Sequence, residues 1–257
     1  MCLLIILREV VSDWGLVVAA NRDERYDRGG EPPQVLSDEP RLFGGRDPKA
    51  GGTWLAVNQW GMLCAVTNRP RKERPDRPVR SRGLLCLDAA RQKSPIAVAD
   101  HLGNALAQDA YEGFTLFSAT PSTGSFFYFD GGLREKPLGR GVFVVTTGDA
   151  NDASIPKVRR AHELLDAGKA QSIADWIDGL ETVCRNHSGN PSHPNALCLH
   201  GGKGGTVSSS IVAFHDREPE RHLFRHCQGR PCEAPYETVA WPGGFFVGAP
   251  VPSQQDD

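Results

Sequence analysis

A chain of 257 residues can bury a substantial core without staples, and its length fits one large domain or two small ones. Its 29 basic and 31 acidic side chains leave a net charge of −2, which excludes a global pull toward nucleic acid or an anionic membrane. No apolar run reaches the roughly 18 residues of a spanning helix. The seven cysteines are odd in number and scattered, and the opening segment has no basic region ahead of its apolar run. Reduced thiols, no export signal and a cytoplasmic location are therefore expected.

In chain order, 2–11 and 15–20 are β-rich runs joined by Ser12-Asp13-Trp14-Gly15, a hairpin signal. The second ends in Asn21-Arg22-Asp23-Glu24, a polar cluster at a strand end, where scaffolds present chemistry. A Pro-, Gly- and charge-rich loop is expected up to Phe43, followed by Gly44-Gly45-Arg46-Asp47 and Gly51-Gly52-Thr53-Trp54. Strands are predicted over 53–58 and 62–68, a basic loop over 69–82, and helices over 84–93 and 95–109. The second helix carries apolar Ile96, Val98, Ala99, Leu102, Ala105 and Leu106 at helical spacing.

Strands follow at 115–119, 125–129 and 142–147. Helices are predicted at 156–166 and 172–184, with start signals at Ser154 and Ser172. Final strands are expected at 206–215, 223–227 and 236–239. One domain over 1–249, with a frayed tail at 250–257, is the expected organisation. Strands, then helices, then strands predict an α+β fold with antiparallel sheets.

Met1-Cys2 opens the chain ahead of Leu3-Leu4-Ile5-Ile6-Leu7. Cys is small enough that an initiator Met in front of it is normally removed. The mature chain would then carry an α-amine, with an ordinary pKa of about 7.7–8.0, and a nucleophilic thiol on one residue. The plain alternative is a buried cysteine starting an apolar strand.

Met1-Cys2-Leu3-Leu4, Ala20-Asn21-Arg22-Asp23-Glu24, Gly44-Gly45-Arg46-Asp47, Ala50-Gly51-Gly52-Thr53-Trp54-Leu55, Ala65-Val66-Thr67-Asn68 and Pro156-Lys157-Val158 stand in this order. On them the chain resembles the NRDE family, also called the transport and Golgi organization protein 2 family. That family in turn resembles the N-terminal nucleophile hydrolases of the choloylglycine hydrolase and penicillin V acylase branch. The resemblance implies a four-layer αββα sandwich with two antiparallel sheets flanked by helices. It also implies a hairpin, here Asn58–Gly61 leading to Asn68, that supplies an oxyanion-hole amide. Thr146-Thr147-Gly148-Asp149 stands where the family commonly has Ser-Asn, so a second polar contact would come from Thr147, Asp149 or Asn151.

These residues make a chemical scheme. Cys2 would attack a carbonyl while its own amine takes the proton, and Asp23 would hold that amine. Arg22 would lower the thiol pKa, and Asn68 with a backbone N–H would receive the oxyanion. Asn21, Glu24, Arg46, Asp47, Thr53, Trp54 and Thr147 are expected to contact the substrate. The reaction would be hydrolysis of an amide or thioester of a small acyl substrate through an acyl-Cys2 intermediate, with no cofactor required. In the structural alternative, Arg22 pairs with Glu24 or Asp47 and Asn21 bonds a turn backbone. The functional alternative, implied by the family's eukaryotic members, is a non-catalytic carrier of haem or of an acyl-CoA or lipid.

Histidines and cysteines crowd the last third, including Cys184-x2-His187 and Cys227-x4-Cys232. Their spacing matches no zinc motif, so no metal is expected, and without Cys-x-x-Cys-His any haem would be non-covalent. The loop at 69–82 has seven basic and two acidic residues and reads as a solvated loop that could flank an anion. It lacks the aromatics of a single-strand nucleic-acid site. His200-Gly201-Gly202-Lys203-Gly204-Gly205-Thr206 lacks a phosphate-loop ending, and Ser208–Ser210 lack a nucleophile elbow.

Overall fold

The computed structural model describes residues 3–71, 73–166 and 170–247. Cys2 and the stretch 250–257 lie outside the described residues. β1 (Leu3–Val11) and β2 (Trp14–Arg25) form the first hairpin, and a 3-10 turn at Tyr26–Arg28 leads to β3 (Glu31–Asp38), β4 (Arg41–Arg46), β5 (Leu55–Asn58) and β6 (Leu63–Asn68). Two helices follow, α1 (Arg82–Ala90) and α2 (Pro95–Gln108), then β7 (Phe114–Ala119), β8 (Gly124–Phe129), β9 (Leu133–Pro137) and β10 (Gly141–Val145). The helices α3 (Pro156–Asp166) and α4 (Ile173–Arg185) precede β11 (Gly204–Phe214), β12 (Leu223–Gln228) and β13 (Glu237–Thr238). Among the described residues no helix is long and apolar enough to cross a membrane.

The strands make two antiparallel sheets, β10-β1-β2-β11-β12-β13 and β3-β4-β5-β6-β7-β8-β9. Alternation along β1 and β2 explains their stacking. Leu4, Ile6, Leu16 and Val18 face the second sheet and meet Phe117, Phe126 and Val57 there. Leu3, Ile5, Val17 and Ala19 face the other way, onto Val158 and Ala161 of α3 and Leu180 and Val183 of α4. On the far side of the second sheet, Leu116 and Phe127 pack against Leu85 of α1 and Leu102 of α2. Three apolar layers thus separate four structural layers, the αββα sandwich that the resemblance implies.

Helix starts follow local chemistry. Ser81 caps α1 by accepting from Gly83 N, Ser94 caps α2 ahead of Pro95, and Ser172 with Asp175 forms a reciprocal capping box on α4.

Two stretches differ from the expected organisation. β2 does not stop at Ala20; it runs through the Asn21–Glu24 tetrapeptide because β11 pairs with it from Leu16 to Arg25. The region before Phe43, expected as a loop, holds β3 and the first two residues of β4. β3 is an edge strand whose register shifts between Glu31 and Gln34, so Pro32 and Pro33 sit where missing donors cost least. The fully exposed edge strand β9 has no apolar alternation to announce it.

Candidate functional site

A cavity of about 270 Å³ opens where the last third of β2 approaches the end of β6 and the start of α1. Arg22, Asp23 and Asn68, the expected charge, amine holder and oxyanion donor, line it together. So do Glu24, Asp47, Thr53 and Trp54. Three segments, 22–24, 47–54 and 68, supply them, and the pairing of β1 with β2 sets the register: Leu3 lies opposite Asn21.

Arg22 projects toward the second sheet. Its guanidinium carbon lies 4.2 Å from the Trp54 ring centroid, and Nη1 donates to Gly29 O. The glycines around the indole let it sit close, since a Cβ on Gly45 would lie 2.3 Å from a Trp54 ring carbon and one on Gly30 2.4 Å from the Arg22 guanidinium. Cation and ring are therefore held as one unit.

Asp23 points the opposite way, toward the helical layer. Its Oδ1 accepts from the Thr206 hydroxyl at 2.7 Å, and its Oδ2 lies 3.4 Å from Lys157 Nζ. The Asp23 and Lys157 side chains are each 2% exposed, which makes this a fully desolvated pair. Burial raises the Asp23 carboxyl above the ordinary carboxylate range, and Lys157 and Thr206 oppose that rise without cancelling it. A register shift in β11 between Thr206 and Ser208 sets Thr206 directly opposite Asp23.

The rim is an ion-pair frame. Arg28, not Arg22, pairs with Asp47 at 2.6 Å and with Glu24 at 3.4 Å. Asp47 also accepts from the Lys49 amide. Burial pushes the Asp47 carboxyl up, but the Arg28 bonds and the Lys49 and Ala50 amides hold it below its usual range. The Thr53 hydroxyl sits 2.7 Å from Gly45 O and 2.8 Å from Leu55 O, bracing the wall.

Asn68 ends β6 opposite Phe114 and is exposed on the cavity wall. Asn58 has a different task. It is buried, donates to Ala90 O and Gln92 O, and accepts from Trp60 N and Met62 N, so it ties the β5–β6 turn to the end of α1.

Three expected contacts lie elsewhere. The Asn21 amide donates to Cys184 O and Leu197 O under the helical layer, and Asn21 does not line the cavity. Arg46 is exposed and does not line the cavity. Thr147 lies beyond the end of β10 in a separate depression with Arg69 and Asp130. The other residues considered with it are also engaged: Asp149 pairs with Arg69 at 2.7 Å, and Asn151 bonds Val144 N and Val142 O.

Lys157 and Thr206 are the site residues that sequence reasoning missed. The signal was present for Lys157. It shares the buried face of α3 with Val158, Ala161 and Leu165, and a lysine on an apolar helix face needs an acidic partner.

Residues 1–197, more than half of the chain, match the family model described as Transport and Golgi organisation 2. The mouse Transport and Golgi organization 2 homolog is 34% identical over 120 residues, covering 42% of this chain and 40% of that protein. The human homolog is 31% identical over 118 residues, with the same coverage. The match spans about two fifths of the length of these curated relatives. Among solved structures, penicillin V acylase from Agrobacterium tumefaciens is similar with a TM-score of 0.53 at 13% identity, covering 89% of this chain and 83% of that one. A Caenorhabditis elegans N-acylethanolamine-hydrolyzing acid amidase ortholog gives 0.55 at 13% identity, covering 86% and 94%. A variant of conjugated bile acid hydrolase from Clostridium perfringens gives 0.56 at 12% identity, covering 97% and 99%. At these identities the likeness is one of fold.

Proposed function

Because the chain belongs to the Transport and Golgi organisation 2 family and shares the fold of the N-terminal nucleophile acylases, we propose that it hydrolyses an amide or thioester of a small acyl substrate, with Cys2 as nucleophile. One observation carries the reading: Arg22, Asp23 and Asn68 line a single cavity. Leu3, the residue that follows Cys2 in sequence, pairs with Asn21 next to that wall.

With Met1 removed, the Cys2 thiol gives its proton to the adjacent amine as sulfur bonds the substrate carbonyl carbon. The Asn68 side-chain amide donates to the oxyanion. Collapse of the intermediate breaks the bond to the leaving nitrogen or sulfur, which takes the proton back from the ammonium, and acyl-Cys2 remains. Water then attacks the thioester with the amine as base, releasing a carboxylic acid and the thiol.

Lys157 adds a role to this scheme. Asp23 would orient the amine, and the Lys157 cation on the same carboxylate disfavours a second positive charge beside it.

Intact-mass spectrometry of the purified full chain tests the first requirement, and retention of Met1 would rule the scheme out. Turnover is tested with penicillin V, an N-acylethanolamine, a conjugated bile acid and short-chain acyl-CoA thioesters. Hydrolysis of at least one, lost in Cys2→Ala with the fold intact, is expected. Undiminished hydrolysis in that variant, or no hydrolysis and no acyl adduct on Cys2, would overturn the proposal.

A second reading, implied by the resemblance to the family's eukaryotic members, is that the same cavity carries a haem or an acyl-CoA or lipid ligand without turnover. At about 270 Å³ the cavity falls below the roughly 300–1,000 Å³ of pockets that enclose a whole drug-sized ligand, so a haem would lie largely outside it. Binding of haem or palmitoyl-CoA, equal in the chain and its Cys2→Ala variant and without hydrolysis, would decide for the carrier.

A further inference from the structure

The segment between α4 and β11 runs for 18 residues, 186–203, without helix or strand. Unstructured connections of that length inside a packed fold need a fastener. Four side chains converge on it: His187, Cys198 and His200 from the segment, and Cys232 from the turn after β12. One ligand atom from each lies within 4.8 Å of every other. Cys198 Sγ is 3.5 Å from Cys232 Sγ and 3.8 Å from His200 Nε2, and His200 Nε2 is 3.1 Å from Cys232 Sγ.

We propose that His187, Cys198, His200 and Cys232 form a structural zinc site that pins the 186–203 segment to the β12–β13 turn.

The distances suit the ion. A tetrahedral Zn²⁺ with Zn–S of about 2.3 Å and Zn–N of about 2.0–2.1 Å sets its ligand atoms about 3.3–3.8 Å apart. The three separations among Cys198, His200 and Cys232 fall in or near that range, and His187 comes within 4.8 Å of each. Two thiolates and two imidazoles in a compact set are also the donor chemistry that selects zinc. Four protein ligands leave no open position, which is the mark of a structural rather than a catalytic site. Binding would release the two thiol protons to solvent and leave a site of zero net charge.

A second observation points to a ligand. His187 Nε2 is buried and has no hydrogen-bond partner among the described residues. Its ring stands edge-on to that of His200, with centroids 4.9 Å apart. A buried ring nitrogen left without a partner is costly, and coordination would satisfy it. On the outer side, His200 Nδ1 lies 3.7 Å from a Glu233 carboxylate oxygen, the placement of a group that orients a ligating imidazole.

Sequence spacing hides the set because each suggestive pair contributes one member. Of Cys184-x2-His187, Cys184 is in the helical-layer core; of Cys227-x4-Cys232, Cys227 is in the same core and its thiol faces Ala234 O. Three of the four ligands also lie beyond the residues matched by the family model, which end at 197.

The site bears on the cavity through one residue. Leu199, between Cys198 and His200, donates its N–H to Thr206 Oγ1 at 2.9 Å and accepts from Thr206 N at 2.8 Å. The same Thr206 hydroxyl donates to Asp23. An ion holding residues 198 and 200 thus fixes the backbone that aims Thr206 at the carboxylate.

The test uses the untagged full chain purified without chelator. Elemental analysis is expected to give about one zinc per chain, falling at least tenfold in Cys198→Ser/Cys232→Ser. If that variant does not fold, metal-stripped wild-type chain titrated with Co²⁺ decides the matter, because two thiolates on tetrahedral cobalt give an intense charge-transfer band saturating at about one equivalent. Zinc content equal in wild type and variant, or no thiolate–cobalt band, would overturn the proposal. So would an intact mass two hydrogens light that maps to a Cys198–Cys232 disulfide.

Discussion

Lys157 reaches from the first turn of α3 to within 3.4 Å of Asp23 on β2, and neither side chain meets solvent. Removing one member of such a pair strands the other charge in a dry interior, which typically costs about 3–5 kcal/mol. Lys157→Met should lower the unfolding free energy by about that much in a denaturant titration. Adding Asp23→Asn should recover part of the loss, because the stranded charge is gone. If the double variant is no more stable than Lys157→Met alone, the two residues are not coupled as the geometry requires.

The Gly45–Trp54 contact makes a steric prediction. A methyl group on Gly45 would occupy the indole's place, so Gly45→Ala must displace Trp54 and, with it, the Arg22 guanidinium stacked 4.2 Å away. Overpacking of this kind costs about 1–3 kcal/mol. Combining Gly45→Ala with Trp54→Leu should restore part of that stability while leaving Arg22 without its ring. A double variant that is destabilised by the sum of the two single effects would contradict the clash.

Two asparagines on one hairpin should separate stability from turnover. Asn58→Ala abandons two backbone carbonyls and two amides around the end of α1, an expected loss of about 2–3 kcal/mol with kcat little changed. Asn68→Ala, on the cavity wall, should leave the denaturation midpoint near wild type. Under the hydrolase proposal it should lower kcat about 10²–10³-fold, as for loss of one oxyanion donor. Equal effects of the two substitutions on kcat would remove Asn68 from its assigned role.

What the sequence revealed was the part governed by local pattern. The unbroken apolar run from Leu3 to Leu7 marks a strand, and the spacing of Val98, Leu102 and Ala105 marks the buried face of a helix. The order of the motifs singled out Arg22, Asp23 and Asn68, and the fold brings all three to one cavity. Asn21 and Arg46 misled because standing beside cavity residues in a motif does not bring a side chain to the cavity. β2 alternates, so Asn21 and Arg22 point to opposite layers. Lys157 and Thr206 stayed hidden because their partner, Asp23, is 134 and 183 residues away. Pairing at that separation is a property of the sheet stack, not of any window of sequence.

His222 gives the pH prediction. Burial, with a smaller push from neighbouring His215, lowers its pKa from 6.5 to about 4. The neutral ring is the one the fold uses: Nδ1 accepts from His215 N at 3.0 Å, and the ring packs edge-on against Phe214 and Phe246. Between about pH 6.5 and 4 the unfolded chain binds a proton here that the folded chain refuses. The contribution to stability is complete above the unfolded value and is lost as pH falls through that window. His222→Asn keeps an acceptor for the His215 amide but cannot titrate, so its unfolding free energy should fall less steeply between pH 6.5 and 4 than that of the parent chain. Urea midpoints measured at matched pH values check the difference, and parallel slopes would show that the proton goes elsewhere.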